Sequence, residues 1–354
     1  MSARAKEGAC LEALVRMALP LCRAAERQCP RTGPGRKPEI PDWAMAALIM
    51  VAMLAKKKSK SSQYRYLWSQ RKEFLTWLGT KKFPSRSTYF DRYRRAHRIF
   101  AVAIRLQGEA ALREGVADAE TVAADKSLIA ARGPVRSTRS NRSPPRGCDR
   151  DAGWGYSEHD HWVYGYGYEV VVTAGKNSTV FPLLASVDPA NRHEGTTFGE
   201  KIAHLPEDVR NVLVDSGYDK NEYGERVEYD EQGRRTGRRY VCPPIRRFVR
   251  QKHPPGTSRR CHSRQVAYDR RQRRIRFYNS REGRRLHKRR SRTVEPFNEW
   301  FKSLFELEHH MWHRGLDNNR TQILAAIFAY QLLVRWNYRC GRKNGQVKWL
   351  VDTL

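Results

Sequence analysis

Thr121-Val122-Ala123-Ala124-Asp125-Lys126-Ser127 sets an acidic residue at the end of a short apolar run, and Asn211-Val212-Leu213-Val214-Asp215 repeats the arrangement further along. Both runs have the composition of buried strands. A third acid, Glu295, opens an expected helix in Thr293-Val294-Glu295-Pro296-Phe297. Asp often closes a strand because its carboxylate bonds its own backbone, and the helix dipole favours Glu in a first turn. Those habits alone do not account for three such acids in a chain of net charge +31, where 37 acidic side chains face 68 Lys and Arg.

The segments between these acids give the fold class. Trp162 to Val172 has strand composition, and Gly175-Lys176-Asn177-Ser178 turns it into a second strand, Val180 to Val187, as a hairpin. A helix is expected from about Thr196 to His204. Arg132 to Gly153, rich in Arg, Ser, Pro and Gly, reads as a mobile loop. Near the C-terminus Val294, Phe297, Phe301 and Leu304 form one helical stripe, and Ile323, Ile327, Tyr330 and Val334 another. Strand, hairpin, helix, strand and helix in that order suit an α/β fold with an RNase H-like mixed sheet flanked by helices. Adjacent strands of such a sheet bring Asp125 and Asp215 together, with the Glu295 helix across that edge.

The first third reads as an all-α module. Residues 8–29 suit an amphipathic helix, and Pro30 to Pro38 a joint. Pro41 opens an apolar helix from Trp43 to Ala55, and Tyr64 to Leu78 continues at roughly helical spacing. Leu78-Gly79-Thr80 looks like a helix end, and Pro84-Ser85-Arg86-Ser87-Thr88 a helix start with Thr88 and Asp91 as capping pair. The helix from Tyr89 to Ile99 carries Arg92, Arg94, Arg95 and His97. The expected division is a helical DNA-binding and dimerisation module at 1–115, a catalytic core at 116–338 with a basic insertion at about 220–292, and a tail at 339–354.

On a helix starting near Thr293, Glu295 and Lys302 lie within about 20° of each other, while Glu299 is about 40° from Glu295 and competes with it. Three converging carboxylates repel unless protonated or bridged by cations. Mg²⁺ is the natural bridge, because it prefers oxygen ligands and leaves positions for phosphate and water. Two ions about 4 Å apart can activate a nucleophile and stabilise the leaving oxygen of a phosphodiester.

Composition agrees with a polyanionic partner. So large a positive charge points to nucleic acid. An anionic membrane is disfavoured, since the apolar stretch Trp43 to Ala55 falls short of the roughly 20 residues that span a bilayer. Nor is there a signal peptide at the N-terminus. Seven scattered cysteines without a C-x-x-C pair suit reduced thiols in the cytoplasm.

Several segments, in order, resemble DDE transposases of bacterial insertion sequences. They are Ala124-Asp125-Lys126-Ser127, then Gly153-Trp154-Gly155-Tyr156-Ser157 with Trp162-Val163-Tyr164-Gly165-Tyr166, Val214-Asp215-Ser216-Gly217-Tyr218-Asp219, and Thr293-Val294-Glu295-Pro296-Phe297 with Lys302. Pro189-Ala190-Asn191-Arg192-His193-Glu194 and Arg314-Gly315-Leu316-Asp317-Asn318-Asn319-Arg320 are similar to further segments of that family. The resemblance covers about 120–338 and, more loosely, the helix start at Pro84.

It implies Mg²⁺ or Mn²⁺, as two ions, held by Asp125, Asp215 and Glu295, with Lys302 on a phosphate. The same three acids and Lys302 are then the catalytic set. It further implies cut-and-paste movement of an element between its terminal inverted repeats, with double-stranded DNA and target DNA as partners. A homodimer in the synaptic complex and a bacterial cytoplasmic, nucleoid-associated location follow. One departure concerns the Y-x2-R-x3-E-x6-K signature: Lys288 and Ser291 stand at its Tyr and Arg positions, leaving Arg290 or Arg292 as substitutes for the Arg.

DNA contacts are expected in two places. One is the helix start and helix bearing Arg86, Arg92, Arg94 and Arg95, as a helix-turn-helix-like reader. The other is the run holding Arg246, Arg247, Arg250, Arg270, Arg271, Arg273, Arg274, Lys288, Arg289, Arg290 and Arg292, where interleaved Phe248, Tyr268, Phe277 and Tyr278 suit phosphate tracking with base or sugar contacts. Trp154 and Trp162 read as packing residues, and His193-Glu194 fits either a loop or the metals' surroundings. Two rival functions remain at this stage: a metal-dependent nuclease or resolvase on the same core, and a non-catalytic DNA-binding protein derived from a transposase.

Overall fold

A computed structural model describes residues 3–29, 38–137, 143–158, 160–176, 178–245, 262–342 and 347–352. Arg246, Arg247, Arg250, Phe248 and the joint at residues 30–37 lie outside the described residues.

The sheet is built around β1 (Thr121–Ala130). One edge of β1 pairs antiparallel with β3 (His161–Thr173), and β3 pairs antiparallel with β4 (Pro182–Pro189). The other edge pairs parallel with β5 (Asn211–Leu213), which pairs parallel with β6 (Arg239–Val241). Three antiparallel columns followed by two parallel ones give the expected RNase H-like mixed sheet. β2 (Gly153–Ser157) is an addition, a short hairpin partner of β3. Its Gly-Trp-Gly-Tyr-Ser sequence lacks the apolar alternation that marks a strand. At Gly165 β3 is gripped by Ala130 on one side and Gly153 on the other, and a Cβ there would come within 2.1 Å of the Ile129 carbonyl oxygen, so only glycine fits.

β1 is longer than its apolar run suggests. Asp125 does not end it. The strand continues through Leu128 and Ile129, held by Gly167 and Tyr166 of β3. What ends near Asp125 is the parallel pairing, whose last register is Ala123 with Leu213. A gap therefore opens on the β5 side of β1 just where the acid stands, and Asp215 lies two residues past the end of β5.

The first third is helical, with α1 (Ala3–Gln28), α2 (Asp42–Leu54), α3 (Lys60–Ser69), α4 (Arg71–Leu78), α5 (Arg86–Tyr93) and α6 (His97–Arg113). Ser85, not Thr88, caps α5, accepting the Thr88 N–H. The single helix expected from Tyr89 to Ile99 is two helices, with Arg94 and Arg95 exposed in the turn between them. Gly79 ends α4 at φ 66°, as the Leu-Gly-Thr signal predicts.

The remaining helices are α7 (Glu194–Ile202), α8 (Asn221–Glu228), α9 (His262–Asn279), α10 (Arg281–Ser291), α11 (Val294–Leu304), α12 (Leu316–Arg339) and α13 (Lys348–Asp352). The described part of the basic segment is thus two helices. Val294, Phe297, Phe301 and Leu304 are all buried, which fixes the roll of α11 on the sheet. Phe301 has ring neighbours Phe297, Phe305 and Tyr168 at 5.7, 5.5 and 5.5 Å. Truncating so enclosed a ring costs about 3–5 kcal/mol. One apolar core runs from α1 to α13, because α12, buried nearly throughout, packs on α2, α6 and β4. Among the described residues no helix is long and apolar enough to cross a membrane, and Cys10, Cys22, Cys29, Cys148, Cys242 and Cys340 are free thiols.

Candidate active site

Side chains on a strand alternate between faces, so Asp125, Ser127 and their cross-strand partners Val170 and Tyr168 share one face of the sheet. α11 covers that face. Asp125 Oδ2 accepts a hydrogen bond from Asn298 Nδ2 at 3.0 Å, and Asn298 Oδ1 accepts one from the Tyr168 hydroxyl at 3.0 Å. This chain locks the Asp125 carboxylate onto the helix that carries Glu295. The opposite face bears Glu169, paired with Lys201 of α7 at 2.7 Å and wholly inside the protein.

Asp215 is positioned by its own backbone. It caps a 3-10 turn at Ser216–Tyr218, its Oδ1 accepting the Gly217 N–H at 2.8 Å, which leaves Oδ2 for other partners. The Cys242 thiol donates to its carbonyl oxygen at 3.1 Å, and His287 of α10 bonds the neighbouring Val214 carbonyl at 3.0 Å. Glu295, in the first turn of α11, is half-exposed.

The three acids converge on one guanidinium. Arg290, buried in the last turn of α10, places Nη2 2.7 Å from Asp125 Oδ1 and 3.6 Å from Asp215 Oδ2, and Nη1 3.2 Å from Glu295 Oε1. Glu299 makes no such approach; it lines a separate groove with Trp300, Pro296 and Trp349. Glu295 is therefore the third carboxylate of this cluster.

The electrostatics reflect the crowding. Burial pushes the Asp125 carboxyl up to about 6, with Arg290 opposing the shift and Asp215 adding to it. Burial alone would lower the Arg290 pKa, but Asp125, Asp215 and Glu295 together raise it. Burial lowers the Lys302 ammonium, against the pull of Asp160, Asp125 and Glu299.

A cluster of carboxylate oxygens is a hard donor set, suited to Mg²⁺ or Mn²⁺. Among the described residues no three His, Cys, Asp or Glu side chains stand close enough to ligate one ion together. The acids instead ring the Arg290 fork, each within hydrogen-bond or ion-pair reach of it. Arg290 also has a buried Nε without a partner among the described residues. Asp125, Asp215 and Glu295 are the oxygen donors that would hold a divalent cation here.

The basic residues divide. Arg86, Arg94, Arg95, Arg273, Lys288 and Arg292 are exposed, and Arg289 is partly so. Five other arginines expected on DNA are engaged inside the protein, Arg290 among the three acids and four more elsewhere. Arg92 pairs with Asp42 and the Ile40 carbonyl. Arg270 pairs with Glu225, Arg271 with Asp219, and Arg274 with Glu225 and Glu228. Their partners sit on elements far away in sequence, which composition cannot reveal. Trp154 packs on Tyr164 and donates to the Arg136 carbonyl, as a packing residue should, but Trp162 meets the Tyr156 ring edge-on at 5.5 Å on the surface and is 68% exposed. His193 is exposed, its imidazole lowered by burial and by Lys220 and Lys126.

Asn298 and Tyr168 are the site residues that sequence reading missed. The signal for Asn298 was available: it is a polar residue four places from Val294, on the buried stripe of an otherwise apolar helix face.

Sheet order and acid cluster define an RNase H-like protein with three carboxylates gathered around one guanidinium at the edge of its central strand. The chain belongs to the family described as the transposase DDE domain, which matches residues 113–332, more than half of it. A solved structure titled as the piggyBac transposase synaptic complex with hairpin DNA aligns with 97% of this chain and 78% of its own, at 11% identity and a TM-score of 0.39, a likeness too distant to bear on function. No curated protein matches the chain.

Proposed function

We propose that this transposase cleaves DNA at the ends of an insertion sequence and joins the freed ends to target DNA. The supporting observation is the convergence of Asp125, Asp215 and Glu295, from β1, the end of β5 and α11, on a single cationic position. Two Mg²⁺ or Mn²⁺ ions held by these acids would activate water or a 3′-hydroxyl and stabilise the departing oxygen.

The chain's own residues prepare the site for that chemistry. Asn298, itself held by Tyr168, fixes one oxygen of Asp125 and leaves the other toward Arg290 and the two further acids. The Gly217 N–H does the same for Asp215. Lys302, seven residues along α11 from Glu295 and so on the same side of the helix, grips a phosphate oxygen of the bound strand. The exposed arginines of the N-terminal turn and of α10 bind the flanking duplex, at terminal inverted repeats and at target. A homodimer pairs two element ends in the bacterial cytoplasm.

The test uses Asp125→Asn in the full chain. This variant is expected to bind a duplex carrying the inverted repeat with unchanged affinity and to lose Mg²⁺-dependent nicking. Retained nicking would contradict the assignment. Supplying pre-cut ends to the wild-type protein separates a transposase from a simple nuclease, since only the former inserts them.

A further inference from the structure

Three carboxylates surround one guanidinium at Arg290, and no other guanidinium is paired with any of the three among the described residues. The site therefore already contains a cation, supplied by the chain. Arg290 is fixed there by one sound hydrogen bond, to Asp125 at 2.7 Å; the Glu295 contact is longer and the Asp215 contact is 3.6 Å. Its buried Nε bonds nothing among the described residues. Two of its three carboxylate contacts are longer than a strong charge-assisted hydrogen bond of about 2.8 Å, so this guanidinium is held by charge more than by geometry.

A divalent ion cannot be added beside it. Mg²⁺ takes oxygens at about 2.1 Å in an octahedron, so two carboxylates sharing an ion bring their oxygens to within about 3 Å of each other. The Arg290 fork keeps Asp125 and Glu295 on different nitrogens and fills the space between them. An ion arriving there would also meet a positive charge at contact distance.

We propose that Arg290 is the resident counter-cation of the carboxylate cluster, and that a divalent ion binds only by displacing its guanidinium. The inference rests on the reading of Asp125, Asp215 and Glu295 as the metal-binding set. Its consequence is a site that stays partly compensated and intact without metal, at the expense of metal affinity. Arg290 is a positioning residue in this scheme: it acts through the carboxylates.

The experiment measures Mn²⁺ binding to the full chain without DNA, by the loss of the free-ion electron paramagnetic resonance signal, together with thermal midpoints in EDTA and in Mn²⁺. The variant Arg290→Gln is expected to bind Mn²⁺ at least tenfold more tightly than wild type. Its midpoint in EDTA is expected to fall below that of wild type, and Mn²⁺ to raise it by more. Should Arg290→Gln fold only when Mn²⁺ is present, that supports the inference too. Arg290→Lys, which keeps the charge but lacks the fork, is expected to lie between the two in affinity. Equal or weaker Mn²⁺ binding by both variants would overturn the inference. Failure of the underlying metal reading looks different: Asp125→Asn would then leave Mn²⁺ binding unchanged in wild type and in Arg290→Gln alike.

Discussion

Two charged clusters of this protein are built from the same side chains in opposite proportions. Between α8 and α9, Arg270, Arg271 and Arg274 meet Asp219, Glu225 and Glu228 one for one, with Arg274 also bonding Asn221. At the sheet edge three carboxylates share Arg290, the one guanidinium paired with them among the described residues. The first cluster is closed in charge and holds one helix to another. The second is short of positive charge in a partly buried setting, a condition a protein tolerates only where something else supplies the cation. Balance separates an architectural salt-bridge network from a site, where density of charge does not.

The largest expected effect comes from removing charge at the unbalanced cluster. Asp125→Asn keeps the shape and the Asn298 contact region but lowers the negative charge at the most buried of the three acids. Cleavage of an inverted-repeat duplex in Mg²⁺ is expected to drop by a factor of about 1,000 or more, in line with loss of a group that stabilises developing charge. Denaturation midpoints should move little by comparison.

At the balanced cluster the response is reversed. Arg274→Ala leaves Glu228 without its ion pair in a part-buried setting, while Glu225 keeps only Arg270. Breaking such a network from one side costs about 3–5 kcal/mol. Urea unfolding should show that loss equally in EDTA and in Mn²⁺. A stability loss that Mn²⁺ repaired would erase the distinction drawn between the two clusters.

Asn298 tests how far the site depends on support behind its acids. Asn298→Ala removes the donor to Asp125 Oδ2 and leaves the Tyr168 hydroxyl without its acceptor. Residues that orient a metal-binding carboxylate are worth about 10–100-fold in metal affinity or activity. A cleavage loss in that range is expected. Asn298→Asp should do no better, because it adds a fourth carboxylate where the charge is already excessive.

The acids were legible because each stands beside an apolar run whose period reveals a strand or a helix, and α11 was legible to its individual buried positions. Less legible was everything that depends on a partner distant in sequence. Asp125-Lys126-Ser127 reads as a strand end, yet β3 carries β1 on to Ala130. Arg92 looks like its exposed neighbours Arg94 and Arg95 until α2 brings Asp42 against it. Arg290 was one of a dense run of basic residues; only the fold sets it among acids from three other places. A sequence states how many charges a segment has and leaves open how many are cancelled.

The smallest expected effect follows from that count of cancelled charges. Each phosphate contact made by a free cation adds about one to the slope of log affinity against log salt. Arg95 and Lys288 are exposed. Arg270 is engaged with Glu225 at 2.5 Å and stacks 3.6 Å above the Tyr229 ring. Fluorescence titration of an inverted-repeat duplex between low and moderate salt should therefore give a slope smaller by about one for Arg95→Ala or Lys288→Ala. Over a fourfold rise in salt that change amounts to about a threefold difference in affinity. Arg270→Ala should leave the slope where it was while weakening the fold. If Arg270→Ala instead flattened the slope as much as the other two, the α9 arginines would be phosphate ligands after all, and their pairing with α8 a resting arrangement that DNA opens.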